Sequence, residues 1–439
     1  MSKEKKLIVK ISIVILWLLI WQAVVLAVHN DILLTGPFDV IKRLGREVFG
    51  EAFYRSVAGT IARILAGFSL GLVFGVFLGA ISYRFEILRM FFAPLVSVLK
   101  SIPVAAFVVL VLIWMGSANL AIPISFVVVF PQIYISTLTG LLEISKEQKE
   151  MMQAFEMRFF NRCMFVYRPA LMPYLVNAVK ISVGMGFKSG IAAEVIGIPE
   201  NSVGEALYMS KIYLDTTGVL AWTVVVLLLS TVLEKLIVML VKKVGNMYIR
   251  PFAGNRKNGK RDFSFEAVKV NYESGVEIEV PPVSIKAGER FCIMGASGCG
   301  KTTWLSVIGK LPEVKPAFVF QDDRLCPSLS GRDNVMAACS KDNISSLDEL
   351  LGFLLPAEAL DKPVSQYSGG MKRKVALIRA LLSGGNLLLL DEPFTGMDEE
   401  SKRKAVECIF KYAEGRAVIF TTHNEEDMHI LQSKNAGIF

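Results

Sequence analysis

The sequence predicts a chain of two unlike halves, an N-terminal all-α part that crosses a membrane repeatedly and a C-terminal α/β part. Three observations lead to this fold class. Hydrophobic residues make up 53% of the 439 residues, and the long uncharged stretches all lie within residues 7–240. Residues 242–439 have the composition of an ordinary globular domain. Within this second half, a short apolar run leads into a glycine-rich loop and then into a helical pattern, as in α/β domains.

Several apolar stretches have the length of about 20 residues that a membrane-spanning helix needs. They are residues 7–28, 57–82, 90–114, 118–141, 174–196 and 217–241. Lys3, Lys5 and Lys6 precede the first stretch and place the N-terminus inside. An even number of spans places the C-terminus inside as well. We therefore expect a multi-pass protein of the cytoplasmic membrane with both termini in the cytoplasm.

Two parts of this half are less regular. Residues 38–55 would lie outside yet carry several Lys and Arg side chains, and their apolar residues have helical spacing, which predicts a short interfacial amphipathic helix. Lys188 and Glu194 lie in the fifth span, where either a cavity or the lipid headgroups could receive their charge. Prolines interrupt the third and fourth spans at positions 94, 103, 123 and 131.

The glycine-rich loop has the spacing G-x-x-x-x-G-K-[ST] of a phosphate-binding loop, and it follows the apolar run 291–294. Its backbone N–H groups and the following helix N-terminus would bind phosphate oxygens. Lys301 would reach the terminal phosphates and the Thr302 hydroxyl would hold Mg²⁺. The sequence therefore predicts ATP and Mg²⁺ as cofactors. The predicted binding residues here are Gly295, Ala296, Ser297, Gly298, Cys299, Gly300, Lys301, Thr302 and Thr303.

Two later strands end in groups suited to phosphate chemistry. The apolar run 387–390 ends at Asp391 and Glu392, and a strand over 417–420 leads to His423. Because carboxylates at the end of a buried strand suit metal binding and water activation, we expect Asp391 to hold the metal and Glu392 to polarise the attacking water. His423 is predicted to contact the γ-phosphate. The segment 367–371 precedes a helix over 372–382 and forms a second predicted anion site.

Other function classes have little support. The net charge of +8 is concentrated beside membrane spans, and no basic patch with interleaved aromatic residues indicates nucleic-acid binding. The six cysteines lack metal-ligand spacing and only three histidines accompany them, so reduced cytoplasmic thiols are expected.

Residues 263–439 resemble the ATP-binding cassette (ABC) ATPases, whose ordered motifs are all represented. They are the phosphate loop 295–302, the glutamine loop at Gln321, the signature 367–371, the acidic strand 387–392, the loop at Asp398 and the switch histidine His423. The resemblance implies that Gln321 joins Thr302 and Asp391 at the metal, and that Tyr272 stacks on adenine. It also implies nucleotide contacts from Asp398 and from the signature residues Ser368, Gly369, Gly370 and Met371. The family signature is Leu-Ser-Gly-Gly-Gln, so Tyr367 and Met371 depart from it and predict slower turnover.

The membrane half resembles the type I permeases of binding-protein-dependent importers, closest to the nitrate/sulfonate/taurine type. The resemblance lies in the cytoplasmic loop from Glu150 to Pro169, although Met151, Met152 and Glu156 replace the family's two alanines and glycine. Three further segments occur in the family's order: Ser101–Pro103, Ile113–Gly116 and Ala192–Val195.

Together, the two resemblances imply a permease and an ATPase fused in one chain, which imports a small-molecule solute. The predicted domains are residues 1–245 (transmembrane permease), 246–262 (basic linker) and 263–439 (ABC ATPase). Expected partners are a second copy of the chain and an extracytoplasmic solute-binding protein. An ABC exporter or lipid translocator, and a nucleotide-gated membrane sensor with weak ATPase activity, are the alternatives.

Overall fold

The computed structural model describes the whole chain except residues 1, 2, 29, 31, 248, 272–276, 281, 297, 414, 433 and 439. For residues 3, 4, 6, 7, 10, 268–271, 277–280 and 434–438 it describes the backbone only. The chain forms two compact units. The membrane unit comprises residues 1–143 and 170–247, and the cassette unit comprises residues 144–169 and 248–439. The cytoplasmic loop 144–169 therefore packs with the C-terminal unit, while the predicted domain boundaries at 245 and 262 stay predictions.

The membrane unit is helical. Its helices are α1 (Lys3–Val28), α2 (Pro37–Glu47), α3 (Glu51–Arg84), α4 (Glu86–Ser101), α5 (Val104–Met115), α6 (Ala121–Leu142), α9 (Arg168–Gly197), α10 (Val203–Ile212) and α11 (Thr216–Gly245). Among the described residues, five helical segments are long and apolar enough to cross a membrane, or six if α4 and α5 count as one bent span. The expectation of about six membrane helices agrees with the second count.

The third predicted span is a bent pair of helices. We expected one helix over 90–114, but α4 ends at Ser101 and α5 begins at Val104, with 102° between them. The break falls at Ile102–Pro103, because a residue before proline is driven out of the helical region. Ile102 accordingly has extended backbone angles (φ −66°, ψ 126°). Pro94 and Pro131, in contrast, lie inside continuous helices.

Helices α3 and α6 are packed through glycine. Gly67, Gly71, Gly75 and Gly79 recur every fourth residue on α3. A Cβ atom at Gly75 would lie 2.7 Å from Ile133 Cβ, and one at Gly71 would lie 2.9 Å from Val129 Cβ. The two backbones can approach this closely only because these side chains are missing.

The cassette unit is α/β. The loop supplies α7 (Lys146–Ala154), α8 (Phe159–Arg162) and a π-helical turn (Cys163–Tyr167). The later helices are α12 (Lys301–Ile308), α13 (Gly331–Met336), α14 (Leu347–Leu354), α15 (Gly369–Leu382), α16 (Glu399–Tyr412) and α17 (Glu425–Ile430). Short 3₁₀ turns cover Lys341–Ser346, Ala357–Ala359 and Val364–Gln366.

The central sheet of this unit is parallel and five-stranded, in the order β6-β7-β8-β5-β9, and two antiparallel pairs, β1-β4 and β2-β3, accompany it. The strands are β1 (Phe263–Phe265), β2 (Val268–Asn271), β3 (Glu277–Val280), β4 (Val283–Ile285), β5 (Arg290–Met294), β6 (Pro316–Val319), β7 (Leu387–Asp391), β8 (Ala417–Thr422) and β9 (Lys434–Ile438). Strands β6, β7 and β8 are buried along their whole length, which is why they read as continuous apolar runs. A helical unit followed by an α/β unit confirms the predicted fold class.

Candidate functional site: a phosphate-binding edge of the sheet

The predicted site residues meet where parallel strands end. Met294 at the end of β5 pairs with Thr422 of β8, and Asp391 at the end of β7 pairs with Thr421. Since all these strands are parallel, the glycine-rich loop, the acidic pair and His423 leave the sheet at the same edge. Ligands of open α/β sheets bind at this carboxyl edge.

The loop between β5 and α12 holds the Lys301 side chain. Gly298 and Gly300 have left-handed backbone angles (φ +84° and +101°), which only glycine adopts without strain. Lys301 is buried, and its Nζ donates to the carbonyl oxygens of Gly295 (2.6 Å) and Ala296 (2.9 Å). The ammonium group is therefore fixed inside the loop, as a phosphate site requires. Ser297 and Tyr272 lie outside the described residues.

Asp391 is suited to hold a divalent cation. Its Oδ1 accepts a hydrogen bond from Thr421 Oγ1 (2.6 Å), while its Oδ2 is buried without a partner. An unpaired buried carboxylate oxygen is costly unless a cation or water meets it. Thr302 is exposed at the first turn of α12 and can add a hydroxyl oxygen. These hard oxygen ligands fit Mg²⁺.

Glu392, His423 and Lys301 form a continuous polar chain. Glu392 Oε1 lies 2.6 Å from His423 Nε2, and His423 Nδ1 lies 3.5 Å from Lys301 Nζ. Glu392 has left-handed backbone angles (φ +46°), which cost a non-glycine residue about 1–3 kcal/mol and are typical of functional positions. The structure therefore brings together the three side chains that the sequence assigned to catalysis.

Gln321 follows β6 and is exposed, and its backbone is held by the helix α15. Arg373 donates to the carbonyl oxygens of Phe320 (2.6 Å) and Gln321 (2.8 Å), and its guanidinium lies 3.1 Å from Asp323. Burial raises the pKa of Asp323, although Arg373 opposes this shift. Arg379, also on α15, donates to the carbonyl oxygens of Asp323 and Arg324 (2.8 Å each).

The signature segment begins the same helix. Ser368 caps α15 by accepting from Met371 N (3.3 Å), and both Ser368 and Gly369 are exposed. A Cβ atom at Gly370 would lie 2.4 Å from the Gly396 carbonyl oxygen, so the signature backbone touches the loop that leads to Asp398. Asp398 caps α16 by accepting from Ser401 N (2.7 Å).

Tyr367 explains one departure from the family signature. Its ring is buried, and its hydroxyl donates to the Ala359 carbonyl oxygen and accepts from Gly331 N (3.3 Å). The hydroxyl is thus satisfied inside the protein, so tyrosine can occupy this position.

Helix α7 of the loop contacts the residues that follow β6. Glu150 accepts from Arg324 (2.8 Å), and the Arg324 guanidinium lies over the Phe320 ring (4.0 Å to its centroid). Phe155 packs edge-on against Phe320 and lies under the guanidinium of Arg379 (4.6 Å to its centroid). The signature helix, the Gln321 segment and the loop 144–169 therefore share one network of aromatic and guanidinium contacts.

Sequence reasoning missed three functional side chains, Thr421, Arg373 and Arg379. Arg379 is fully buried, and burial lowers its pKa to about 10, so it stays charged at neutral pH. An arginine inside the apolar run 375–382 was the available signal, because a buried guanidinium needs several acceptors. Nothing local identified Thr421, whose role depends on the pairing of β8 with β7.

Comparison with known proteins agrees with this geometry. Residues 281–395 match the family described as ABC transporter, and residues 71–246 match the binding-protein-dependent transport system inner membrane component. The aliphatic sulfonates import ATP-binding protein SsuB 2 of Pseudomonas syringae pv. tomato is 34% identical over 170 residues, which are 35% of this chain and 71% of that protein. The taurine import ATP-binding protein TauB of Mesorhizobium japonicum is 31% identical over 196 residues, 38% of this chain and 76% of that protein.

An export protein is also similar. The macrolide export ATP-binding/permease protein MacB of Wolinella succinogenes is 28% identical over 215 residues, which are 42% of this chain and 32% of that protein. The two import relatives are covered over more than two thirds of their length, and both family matches lie in one chain. The predicted resemblance, and with it the prediction of an ATP-hydrolysing membrane transport protein, is confirmed. The chain belongs to the ABC transporter family and joins a permease component of the binding-protein-dependent type to an ATP-binding cassette.

Proposed function

We propose that this chain supplies one permease and one ATPase subunit of a homodimeric transporter that imports a small solute across the cytoplasmic membrane. The observation that carries the proposal is the meeting of Lys301, Asp391, Glu392 and His423 at one sheet edge in a chain that also matches an importer permease. The domains of this proposal are residues 1–245, 246–262 and 263–439, and both termini lie in the cytoplasm.

In the nucleotide site, the loop amides of Gly295–Gly300 and the Lys301 ammonium bind the β- and γ-phosphates. Thr302, Asp391 and Gln321 are the residues that would hold Mg²⁺, which neutralises phosphate charge when bound. Tyr272 stacks on the adenine. The buried unpaired oxygen of Asp391 is the observation that favours this ligand set.

Glu392 orients the attacking water and accepts its proton. The 2.6 Å contact with His423 fixes the Glu392 carboxylate, while His423 remains within reach of Lys301 and of a γ-phosphate that Lys301 binds. Positioned general bases contribute about 10²–10⁴-fold to rate.

The site of one chain is completed by a second copy. Ser368 and Gly369 are exposed at the N-terminus of α15, where they can bind the nucleotide held by the partner's phosphate loop. Asp398 lies in the loop that touches this segment, so it belongs to the same interface. Met371 provides no polar side chain there, which leaves the Ser368 hydroxyl and the backbone amides as donors.

The loop 144–169 transmits cassette movement to the membrane helices, since its α7 contacts the Gln321 segment and its chain continues into α9. The solute reaches the permease from an extracytoplasmic solute-binding protein. Import is favoured over export by the match of residues 71–246 to a binding-protein-dependent component. An intact Lys301–His423–Glu392 chain favours an ATPase over a sensor.

Mixing two inactive chains tests the composite site. Lys301→Ala disables the phosphate loop and Ser368→Arg disables the signature, so each homodimer should lack ATPase activity. In a mixed dimer, both lesions fall in one composite site and the other site stays intact. We expect one nucleotide bound per mixed dimer, with some phosphate release. Equal loss of both sites in the mixed dimer, or a purified monomer with full activity, would contradict the proposal.

A further inference from the structure

The basic segment after α11 is packed into the cassette unit and does not behave as a free linker. We call residues 252–259 the strap. Gly254 N donates to Cys339 O (2.7 Å), and Lys341 N donates to Gly254 O (2.9 Å). Further along, Gly385 N donates to Lys257 O (3.0 Å), and Gly259 N donates to Gly385 O (2.9 Å). The strap is therefore paired through its backbone with two separate turns of the cassette.

This close approach depends on the sequence Gly384–Gly385. A Cβ atom at Gly384 would lie 2.5 Å from Arg256 O, and both glycines have positive φ angles (+72° and +122°). Any other residue there would be strained and would push the strap away. The turn before β7 is thus shaped to receive the strap.

The other side of the strap holds the loop 144–169. Asn161 is fully buried, and its Nδ2 donates to Phe252 O (2.7 Å) and to Ala337 O (2.9 Å) of the cassette. Its Oδ1 accepts from Phe252 N (3.1 Å), so one side chain pairs with both backbone groups of Phe252. Phe160 packs against the Phe252 ring (5.1 Å between centroids).

Arg256 makes the second bridge. Its side chain is buried, and it donates to Ala154 O at the end of α7 and to Pro316 O at the start of β6 (2.9 Å each). A cation at a helix C-terminus is stabilised by the helix dipole. Strand β6 leads directly to Phe320 and Gln321, so Arg256 fixes α7 relative to the strand that presents the metal-site glutamine.

We propose that the strap is a built-in positioning element that fastens the loop 144–169 to the cassette of its own chain, with Asn161 and Arg256 as positioning residues. The inference deepens the proposed function, because it states how a fused chain selects its own cassette as the partner of its loop. A segment tethered in the same chain has a high effective concentration, and the strap adds geometry to that advantage.

Cross-linking in the full-length dimer tests this. Gln153 and Lys310 line one cavity of about 290 Å³ between α7 and α12, and both are exposed. With Gln153→Cys and Lys310→Cys in one chain, and the half-buried Cys163 and Cys299 replaced by serine, a bifunctional thiol reagent should give intrachain product. The four remaining cysteines are buried, and burial raises the pKa values of Cys326, Cys339 and Cys408 to about 11, 12 and 12, so these thiols should not react at neutral pH.

Adding Asn161→Leu together with Arg256→Met should lower the intrachain product about tenfold, because each lost buried hydrogen bond costs about 1–3 kcal/mol and tenfold corresponds to 1.4 kcal/mol. Amide hydrogen exchange over residues 146–160 should rise by a similar factor, while exchange in β7 and β8 stays unchanged. Asn255→Leu is the matched control, since Asn255 is exposed and makes none of these contacts.

Unchanged cross-linking and exchange in the double variant would overturn the proposal. If the double variant does not fold, as judged by exchange in β7 and β8, the single variant Asn161→Leu decides by the same criteria, and Arg256→Lys should be intermediate. Cross-linking needs no ATP turnover, so a chain without ATPase activity would refute the proposed function and still leave this test valid.

Discussion

In the membrane unit, Glu194 is the one fully buried charged side chain among the described residues. The cassette unit, in contrast, buries charged residues throughout: Arg256, Lys301, Asp333, Arg373, Arg379, Asp391, Lys402, Arg416 and Asp427. Glu194 accepts from Thr60 Oγ1 (2.6 Å) and from Arg63 Nε (3.0 Å). Arg373 and Arg379 instead donate to backbone carbonyl oxygens of the Gln321 segment.

The difference shows two uses of burial. Helices in lipid gain little from burying apolar surface against each other, so α3 and α6 are held by close packing over glycine. The cassette lies outside the apolar spans and can spend buried charge on holding loops at the nucleotide site. We therefore expect changes of buried polar groups at the cassette site to alter turnover first, and changes in the membrane unit to alter stability first.

The largest effect is expected for Glu392→Gln. The substitution removes the base that contacts His423, so phosphate release should fall by about 10²–10⁴-fold while ATP binding persists. Phosphate release and nucleotide binding by the purified full chain measure the two properties. Glu358→Gln, at an exposed 3₁₀ turn, is the control. Turnover within a few-fold of the wild type would remove Glu392 from the catalytic role.

Glu194→Ala should give the largest loss of stability in the membrane unit. It would leave the Arg63 guanidinium, whose side chain is 16% exposed, without its carboxylate partner. Removing one member of a buried ion pair costs about 3–5 kcal/mol. Thermal unfolding in lipid nanodiscs should show this loss, and Arg63→Met with Glu194→Met should recover part of it.

The exposed pair Arg55–Glu51 provides the comparison for that measurement. Both side chains are more than half exposed (66% and 80%), and their contact is 2.6 Å long. Glu51→Ala should therefore cost only about 0.2–1 kcal/mol. Equal losses for Glu51→Ala and Glu194→Ala would show that burial does not set the value of an ion pair in this unit.

Gly75→Ala tests the glycine packing of α3 on α6. The added methyl group would lie 2.7 Å from Ile133 Cβ, so the helices must separate or bend, at about 1–3 kcal/mol. Gly45→Ala is the matched control, because no atom lies within 4 Å of a Cβ at this position of α2. That control should be neutral or stabilising by up to about 1 kcal/mol. A stable Gly75→Ala variant would argue against close packing as the main attachment.

The sequence predicted best those features that depend on short-range order. The phosphate loop, the strand that ends at Asp391 and the strand before His423 are local patterns, and the structure places their functional ends at one edge. The register of β5, β7 and β8 could not be predicted, because pairing depends on residues far apart in the chain. For that reason Thr421, which orients Asp391, escaped notice.

The interactions of the loop 144–169 were also out of reach. The sequence marked Glu150 and Phe155 through the permease motif, but their partners Arg324, Phe320 and Arg379 follow from tertiary packing. The segment 246–262 was interpreted as a basic linker because charge and glycine favour exposed coil. Its buried Arg256 shows that such a segment can be ordered when carbonyl acceptors surround each charge.

The smallest expected effect concerns pH and the cap of α16. The hydrogen bond from Ser401 N holds the pKa of Asp398 below its usual value. A depressed carboxyl pKa means that the native state favours the ionised form, so the stabilisation is complete above the unfolded-state pKa of about 3.9 and is lost as pH falls through the native value. Asp398→Asn keeps a capping oxygen without the charge. The stability gap between wild type and Asp398→Asn should therefore be constant from pH 7 to about 4.5 and narrow toward about pH 3.5. A gap that does not change with pH in thermal unfolding would mean that the Asp398 charge contributes nothing to this cap.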